Sequence, residues 1–334
     1  MVMKINFIGN FGNGYVGEVG DATHLVRELR ALGHKVRQIP QDEFREYVLE
    51  GYPKGKYPNV PDDITADINI IMKWDAFYDE RFINSLRILS LADVFYWVWD
   101  YMDWNGLPDW HIKAVGACDL YLGNDVRNPA YRALPKNNLY YFPFDVADGD
   151  LMTAHSLPGI QLKTNDVAFF GSWIDQGDRQ DWLIEINKTN PITVFSWNWE
   201  AWPSEFDAHP PVYGEAFNRE VAASKIILGF NVEPNCWGYW SNRVGKTLLA
   251  GGFLLQQYSP GMELFLRDGV EYFSSVEEAR EKIDHFLIAE YERERISKVG
   301  WMIGQERFSS KERVKDLVIL IERYLRKEDK IWMI

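Results

Sequence analysis

Short apolar runs alternate with amphipathic stretches along nearly the whole chain. "KINFIG" (residues 4–9) reads as a buried strand and is followed by the glycine-rich "GNFGNGYVGEVG". After Asp21, a capping candidate, Ala22, Leu25, Val26, Leu29 and Leu32 recur at helical spacing and Gly33 closes the helix. "HKVRQIP" then reads as a second strand, so residues 4–40 form a βαβ unit. "INIIMKW", "DVFYWVW", "DLYLGN" and "LYYFPF" continue the series, which predicts a doubly wound parallel sheet in the first half.

The second half repeats this logic. "DVAFFGSW", "ITVFSWN", "KIILGFN" and "GFLLQQY" read as strands with helices between them. Ser275 with Glu278, and Ser309 with Glu312, have capping-box spacing ahead of two amphipathic helices. Between the halves, "DVADGDLMTAHSLPGIQLKTN" is turn-rich and aperiodic and reads as a linker. The expectation is an α/β chain of two Rossmann-like domains, residues 1–150 and 151–310, with a C-terminal helix in 311–334 that returns to the first domain or stays with the second. Such sheets bind ligands outside their strand carboxyl ends. Six loops therefore become candidates: 9–18, 97–105, 171–179, 196–202, 231–235 and 241–247.

Composition narrows the chemistry. With 36 Lys and Arg against 49 Asp and Glu, the net charge of −13 repels phosphate backbones and anionic membranes, while leaving room for a local basic groove. Cys118 and Cys236 have neither a pairing framework nor metal-ligand spacing around them, and the six histidines form no cluster. The N-terminus reads as a strand rather than a signal peptide, and no apolar run approaches the length of a membrane span, so the expected location is cytoplasmic. Aromatic residues make up 15% of the chain. Trp197 and Trp199 in "SWNWEAW" are open to three readings: core packing, stacking on the flat base of a ligand, or lining a substrate channel.

Two nucleotide motifs need weighing. Gly245, Lys246 and Thr247 end like a P-loop, but Trp240 stands where its first glycine belongs, and the stretch reads instead as a helix start carrying Arg243 and Lys246. Gly12, Gly14 and Gly17 match a dinucleotide fingerprint, with Asp42 or Glu43 at the distance of its acidic residue. A dehydrogenase, however, leaves the basic helix starts of the second half unexplained. Arg179, Arg243 and Lys246 supply positive charge at helix starts, where a cation opposes the dipole unless an anion binds beside it.

From "ASKIILGFN" through "SNRVGKTLLAGGFLLQQYSPGMELFLRDGVEYFSSVEEAREKI", the sequence resembles the donor-binding half of GT-B glycosyltransferases of the spore-maturation-protein-like group. The shared order is a strand, an Arg-led helix, a small-Gly-Gly turn, a buried strand, "PG.E" and a "DG" turn. "KINFIGNFGN", "FYWVWD", "YYFPF", "DVAFFGSWIDQGDR" and the "RV..T" helix start are similar to phage DNA β-glucosyltransferases, also GT-B. That resemblance implies two domains facing across a cleft and a transferase with no cofactor. Its donor would be a nucleoside diphosphate sugar, with a UDP-sugar expected. Metal independence is expected because the basic side chains and a helix N-terminus replace a cation and no strand-end Asp-x-Asp pair is present.

The same resemblance implies Asp100 as general base and Arg179 and Arg243 as phosphate ligands. Gly171, Ser172, Asn231, Asn242 and Lys246 complete the implied donor contacts. Gly12, Gly14, Glu18 and Asp103 fall to the acceptor side or its loop. Lys246 and Gly238 depart from the pattern, since many GT-B enzymes carry glutamates there. An ammonium has only donors and cannot accept the donor ribose hydroxyl bonds. The implied acceptor is a hydroxymethylated DNA base. A glycan, protein or small-molecule acceptor, and a non-catalytic nucleotide- or sugar-binding module, remain the alternatives. Inversion follows if Asp100 is the base, and retention stays open otherwise.

Overall fold

The structure, a computed structural model, describes residues 1–9, 11, 21–41, 44, 50, 63–72, 78–98, 106–134, 139–143, 162–174 and 178–328. The chain divides into two compact units, the first comprising Met1–Phe144 with Val314–Ile334 and the second Asp145–Arg313.

In the first unit β1 (Lys4–Gly9), β2 (Lys35–Pro40), β3 (Ile68–Met72), β4 (Asp93–Val98), β5 (Leu120–Gly123) and β6 (Leu139–Tyr141) form one sheet in the order β2-β1-β3-β4-β5-β6. Every pairing is parallel. Both faces are covered, which is why β1, β3 and β4 read as nearly unbroken apolar runs. The exceptions within them are Asn6 and Asn69, which pair across β1 and β3. Asn6 Nδ2 donates to Asn69 Oδ1 at 3.0 Å, and Asn69 Nδ2 donates to Ser90 Oγ at 2.7 Å. These bonds satisfy buried amides and penalise any slip in register.

Besides most of the chain's last helix, the α-helices described in this unit are α1 (Asp21–Ala31), α2 (Glu80–Ser90) and α3 (Asp109–Ala117). Asp21 is the first helical residue of α1 rather than the residue before it, and Gly33 leaves the helix at φ 88°. Tyr324, which lies beyond residue 314 in the last helix, stands edge-on to Phe95 at 5.0 Å and donates to Asp93 Oδ2 at 3.1 Å.

The second sheet runs β12-β11-β10-β7-β8-β9, again parallel throughout. Its strands are β7 (Asn165–Phe170), β8 (Ile192–Phe195), β9 (Asp207–His209), β10 (Ser224–Gly229), β11 (Leu254–Gln257) and β12 (Glu271–Phe273). β9 and β12 have no counterpart in the sequence expectation. Each is a three-residue edge strand, too short to show a period, and each pairs on one side only. Numbered within this unit, the order is 3-2-1-4-5-6, the dinucleotide-fold order, whose topological switch point lies between β7 and β10.

The remaining helices are α4 (Arg179–Asn187), α5 (Gly214–Ala223), α6 (Arg243–Leu249), α7 (Met262–Leu266), α8 (Val276–Ile288), α9 (Glu290–Ile303) and α10 (Ser310–Leu325). Ser275 Oγ accepts from Glu278 N at 3.1 Å, so α8 is capped from its side chain. Gly245, Lys246 and Thr247 all lie inside α6, a geometry unlike a phosphate-wrapping loop.

Candidate functional site

The site is built where β7 and β10 part. β7 ends on Phe169 and Phe170, and Gly171 follows with its N–H on the Phe195 carbonyl at 3.1 Å. A Cβ at Gly171 would stand 2.2 Å from Arg243 Nη1 and 2.7 Å from Phe169 Cζ. The absent side chain is thus what admits the Arg243 guanidinium, which donates to the Phe170 carbonyl at 2.8 Å.

Arg179, the first residue of α4, reaches the same place. It is only 4% exposed, and its Nη2 donates to the Ser172 carbonyl. The two guanidiniums share one aromatic ring, Arg179 Cζ at 5.9 Å and Arg243 Cζ at 5.7 Å from the Phe169 centroid. The ring quadrupole offsets part of their charge. Among the described residues neither guanidinium has a carboxylate partner, and the buried Arg179 Nε has no hydrogen-bond partner. Burial and then the neighbouring Arg243 charge lower the Arg179 pKa to about 10, and burial lowers that of Arg243. Two close, desolvated cations with a spare donor form a site that an anion would relieve. Beside them a small hollow is lined by Phe170, Gly229, Ser241, Arg243, Thr247 and Gln256.

Asn231, 1% exposed, spends its side chain on the protein. Its Nδ2 donates to Ser259 Oγ at 2.6 Å and to the Tyr239 carbonyl at 3.3 Å, and its Oδ1 accepts from Ser241 N at 3.2 Å. Asn231 therefore ties the strand-end loop to the segment leading into α6, and bears on Arg243 through that segment. Asn242 occupies the N-cap position of α6 without a side-chain cap bond, and Lys246 lies one turn further along the helix. Gly171, Ser172, Arg179 and Arg243 thus converge, with Asn231 and Asn242 as their frame. Asp100, Asp103, Gly12, Gly14 and Glu18 lie outside the described residues, as do Gly17, Asp42, Glu43 and most of the 145–165 segment.

One cluster escaped the sequence reading. After β5, Asp125 is 2% exposed and accepts from Tyr121 Oη at 2.7 Å and Tyr131 Oη at 2.6 Å. His111 Nε2 stands 2.9 Å from Tyr131 Oη. With that hydroxyl already donating to Asp125, the ring nitrogen is its donor. Burial lowers the His111 pKa to about 4 and raises those of both phenols, the Asp125 charge adding to the latter effect. Gly123 makes room for the cluster, since a Cβ there would stand 2.8 Å from Asp125 Oδ1 and from Tyr121 Oη. Its sequence signal was only two tyrosines and a histidine scattered over separate elements.

Residues 176–319 match the family model described as glycosyl transferase-like. No curated protein sequence matches the chain. Among solved structures, sucrose-phosphate synthase from Thermosynechococcus elongatus is similar at TM-score 0.64 and 10% identity, covering 97% of this chain and 99% of that one. Anabaena Alr3699/HepE in complex with UDP and glucose is similar at TM-score 0.62 and 12% identity, over 96% and 99%. An alpha-glucosyltransferase in complex with UDP and a 13-mer DNA containing an HMU base is similar at TM-score 0.62 and 13% identity, over 96% and 100%. The chain has the GT-B fold of two Rossmann-like domains.

Proposed function

We propose that the chain is a glycosyltransferase that moves a sugar from a nucleoside diphosphate sugar to an acceptor hydroxyl. The observation that carries this reading is the pair of unneutralised guanidiniums, Arg179 and Arg243, held over Phe169 at the switch point of the second sheet. A diphosphate leaving group gains negative charge as the glycosidic bond breaks, and preorganised cations stabilise that charge without reorganising. Support for the nucleotide comes from HepE, seen with UDP and glucose, and from the alpha-glucosyltransferase, seen with UDP. A UDP-sugar is therefore the donor to test first.

Asp100 is proposed as the base that takes the acceptor proton, on the strength of its place after the apolar β4 run. The proposed acceptor is the hydroxyl of a hydroxymethylated base in DNA, in keeping with the HMU-containing DNA bound by the alpha-glucosyltransferase. Such a base must leave its stack to react. The net charge of −13 opposes long-range attraction to DNA, so binding is expected to be weak and local.

The test is a panel of nucleotide sugars, following nucleoside diphosphate release with hydroxymethylated DNA, with unmodified DNA and without DNA. Release that requires the modified DNA supports both donor and acceptor. Release with a glycan or small molecule in place of DNA would keep the donor reading and replace the acceptor. Absence of nucleotide binding would overturn the whole assignment.

A further inference from the structure

The stretch "SWNWEAW" (196–202) divides its tryptophans sharply. Trp202 is buried, with Trp173 at 4.8 Å and Phe206 at 5.1 Å in the second core. Trp197 is 69% exposed and Trp199 38%. Such exposure leaves on the order of 100 Å² of apolar ring uncovered on Trp197 alone, an arrangement that water disfavours.

The backbone beneath these rings is firmly held. Asn198, between them, accepts from Trp173 N at 3.0 Å and from Ser196 Oγ at 2.7 Å, and donates to the Trp173 carbonyl at 2.9 Å. This clamp fastens the loop after β8 to the loop after β7. The latter carries Ser172, whose carbonyl receives the Arg179 guanidinium. Counting residues across these bonds puts the backbone of Trp197 within roughly 10 Å of the Ser172 carbonyl that receives Arg179. A ring displayed on a rigid frame at that distance from a phosphate-binding pair is placed for the far end of a nucleoside diphosphate.

We infer that Trp197, with Trp199 beside it, is the stacking platform for the nucleobase of the donor. This rests on the donor reading of the arginine pair and adds to it the residue that grips the base. Stacking needs only the flat face of the base, so the platform contributes affinity for the nucleoside without selecting among bases.

The experiment is calorimetric titration of the full chain and its Trp197→Ala and Trp197→Tyr variants with UDP, ADP, GDP and pyrophosphate. Trp197→Ala should weaken the best-bound nucleoside diphosphate by about tenfold or more and leave pyrophosphate within about twofold. Trp197→Tyr, which keeps a ring, should recover most of the loss. Unchanged nucleotide affinity in Trp197→Ala would overturn the inference, as would an equal loss for pyrophosphate, which a merely structural role produces. An unchanged nucleotide affinity with a raised KM for the acceptor would assign the ring to the acceptor instead. If the unaltered chain binds neither pyrophosphate nor any of the three nucleotides, the donor reading falls and the platform with it. Intact pyrophosphate binding that Arg243→Ala abolishes separates failure of the platform from failure of that reading.

Discussion

At the carboxyl end of β5 in the first unit, a buried carboxylate is held by two phenols, one of which accepts from a histidine. At the carboxyl end of β7 in the second unit, two guanidiniums share a phenyl ring with no carboxylate near them among the described residues. Both places need a glycine to admit the polar groups, Gly123 in one and Gly171 in the other. In the first cluster Asp125 accepts two short charge-assisted bonds and His111 donates to one of the phenols, although the buried His111 Nδ1 has no hydrogen-bond partner. The second stays open, with a spare donor on Arg179 and like charges side by side. Similar sheet ends thus serve opposite purposes. A buried carboxylate held by neutral donors belongs to the fold, whereas a cationic pair without a carboxylate keeps its charge for a ligand.

The largest effect is expected at Asp100. Asp100→Asn keeps shape but cannot take a proton, so turnover should fall by about 100-fold or more while donor affinity stays nearly unchanged. Single-turnover kinetics and nucleotide titration check the two halves separately. Full activity, or retention at the anomeric carbon by NMR of the product, would move the base elsewhere, with Asp103 and Glu18 the next to test.

Opening the arginine pair comes next. Arg179→Ala or Arg243→Ala removes a charge-assisted phosphate contact and should cost about 1.5–3 kcal/mol of nucleotide binding. Because each removal also relieves repulsion, the thermal midpoint of the free protein should fall little, and the rise produced by adding nucleotide should shrink. Gly171→Ala should act in the same direction by pushing Arg243 aside, without removing any charge. An affinity unchanged in all three variants would erase the contrast between the two sheet ends.

The closed cluster should respond in stability only. Tyr131→Phe strips one donor from the buried Asp125 and should destabilise the chain by about 1.5–3 kcal/mol, with nucleotide affinity intact. Denaturant titration of the variant measures the first, and calorimetry the second.

The smallest effect is on pH dependence. His111 is neutral in the folded chain down to about pH 4, whereas in the unfolded chain it takes up a proton below about pH 6.5. The unfolded state therefore binds more protons between these values, and this contribution to stability falls as pH drops. The expected loss is about 1 kcal/mol between pH 7 and pH 5.5, and His111→Phe should remove that component of the slope. A slope unchanged by the substitution would place the titration in another group.

Much of the architecture was legible because periodicity is local. A parallel strand buried on both faces writes itself as an apolar run, and "KINFIG", "DVFYWV" and "KIILG" needed no partner to be recognised. The caps at Ser275 and Ser309 were legible for the same reason, since each spans four residues. β9 and β12 were not, because a three-residue edge strand exists only through its neighbour.

The charges at Arg179 and Arg243 were visible in the sequence as cations at helix starts. Tertiary structure alone brought them, from 64 positions apart in the chain, against one phenyl ring and made Gly171 the opening that admits one of them. It alone also closed Asp125, Tyr121, Tyr131 and His111 into one network, and sent Trp202 inward while leaving Trp197 in water. Residue type and short-range spacing determine propensity, capping and which faces are apolar. Burial, charge proximity and the satisfaction of polar groups depend on residues far apart in sequence, and these are fixed only when the sheets assemble.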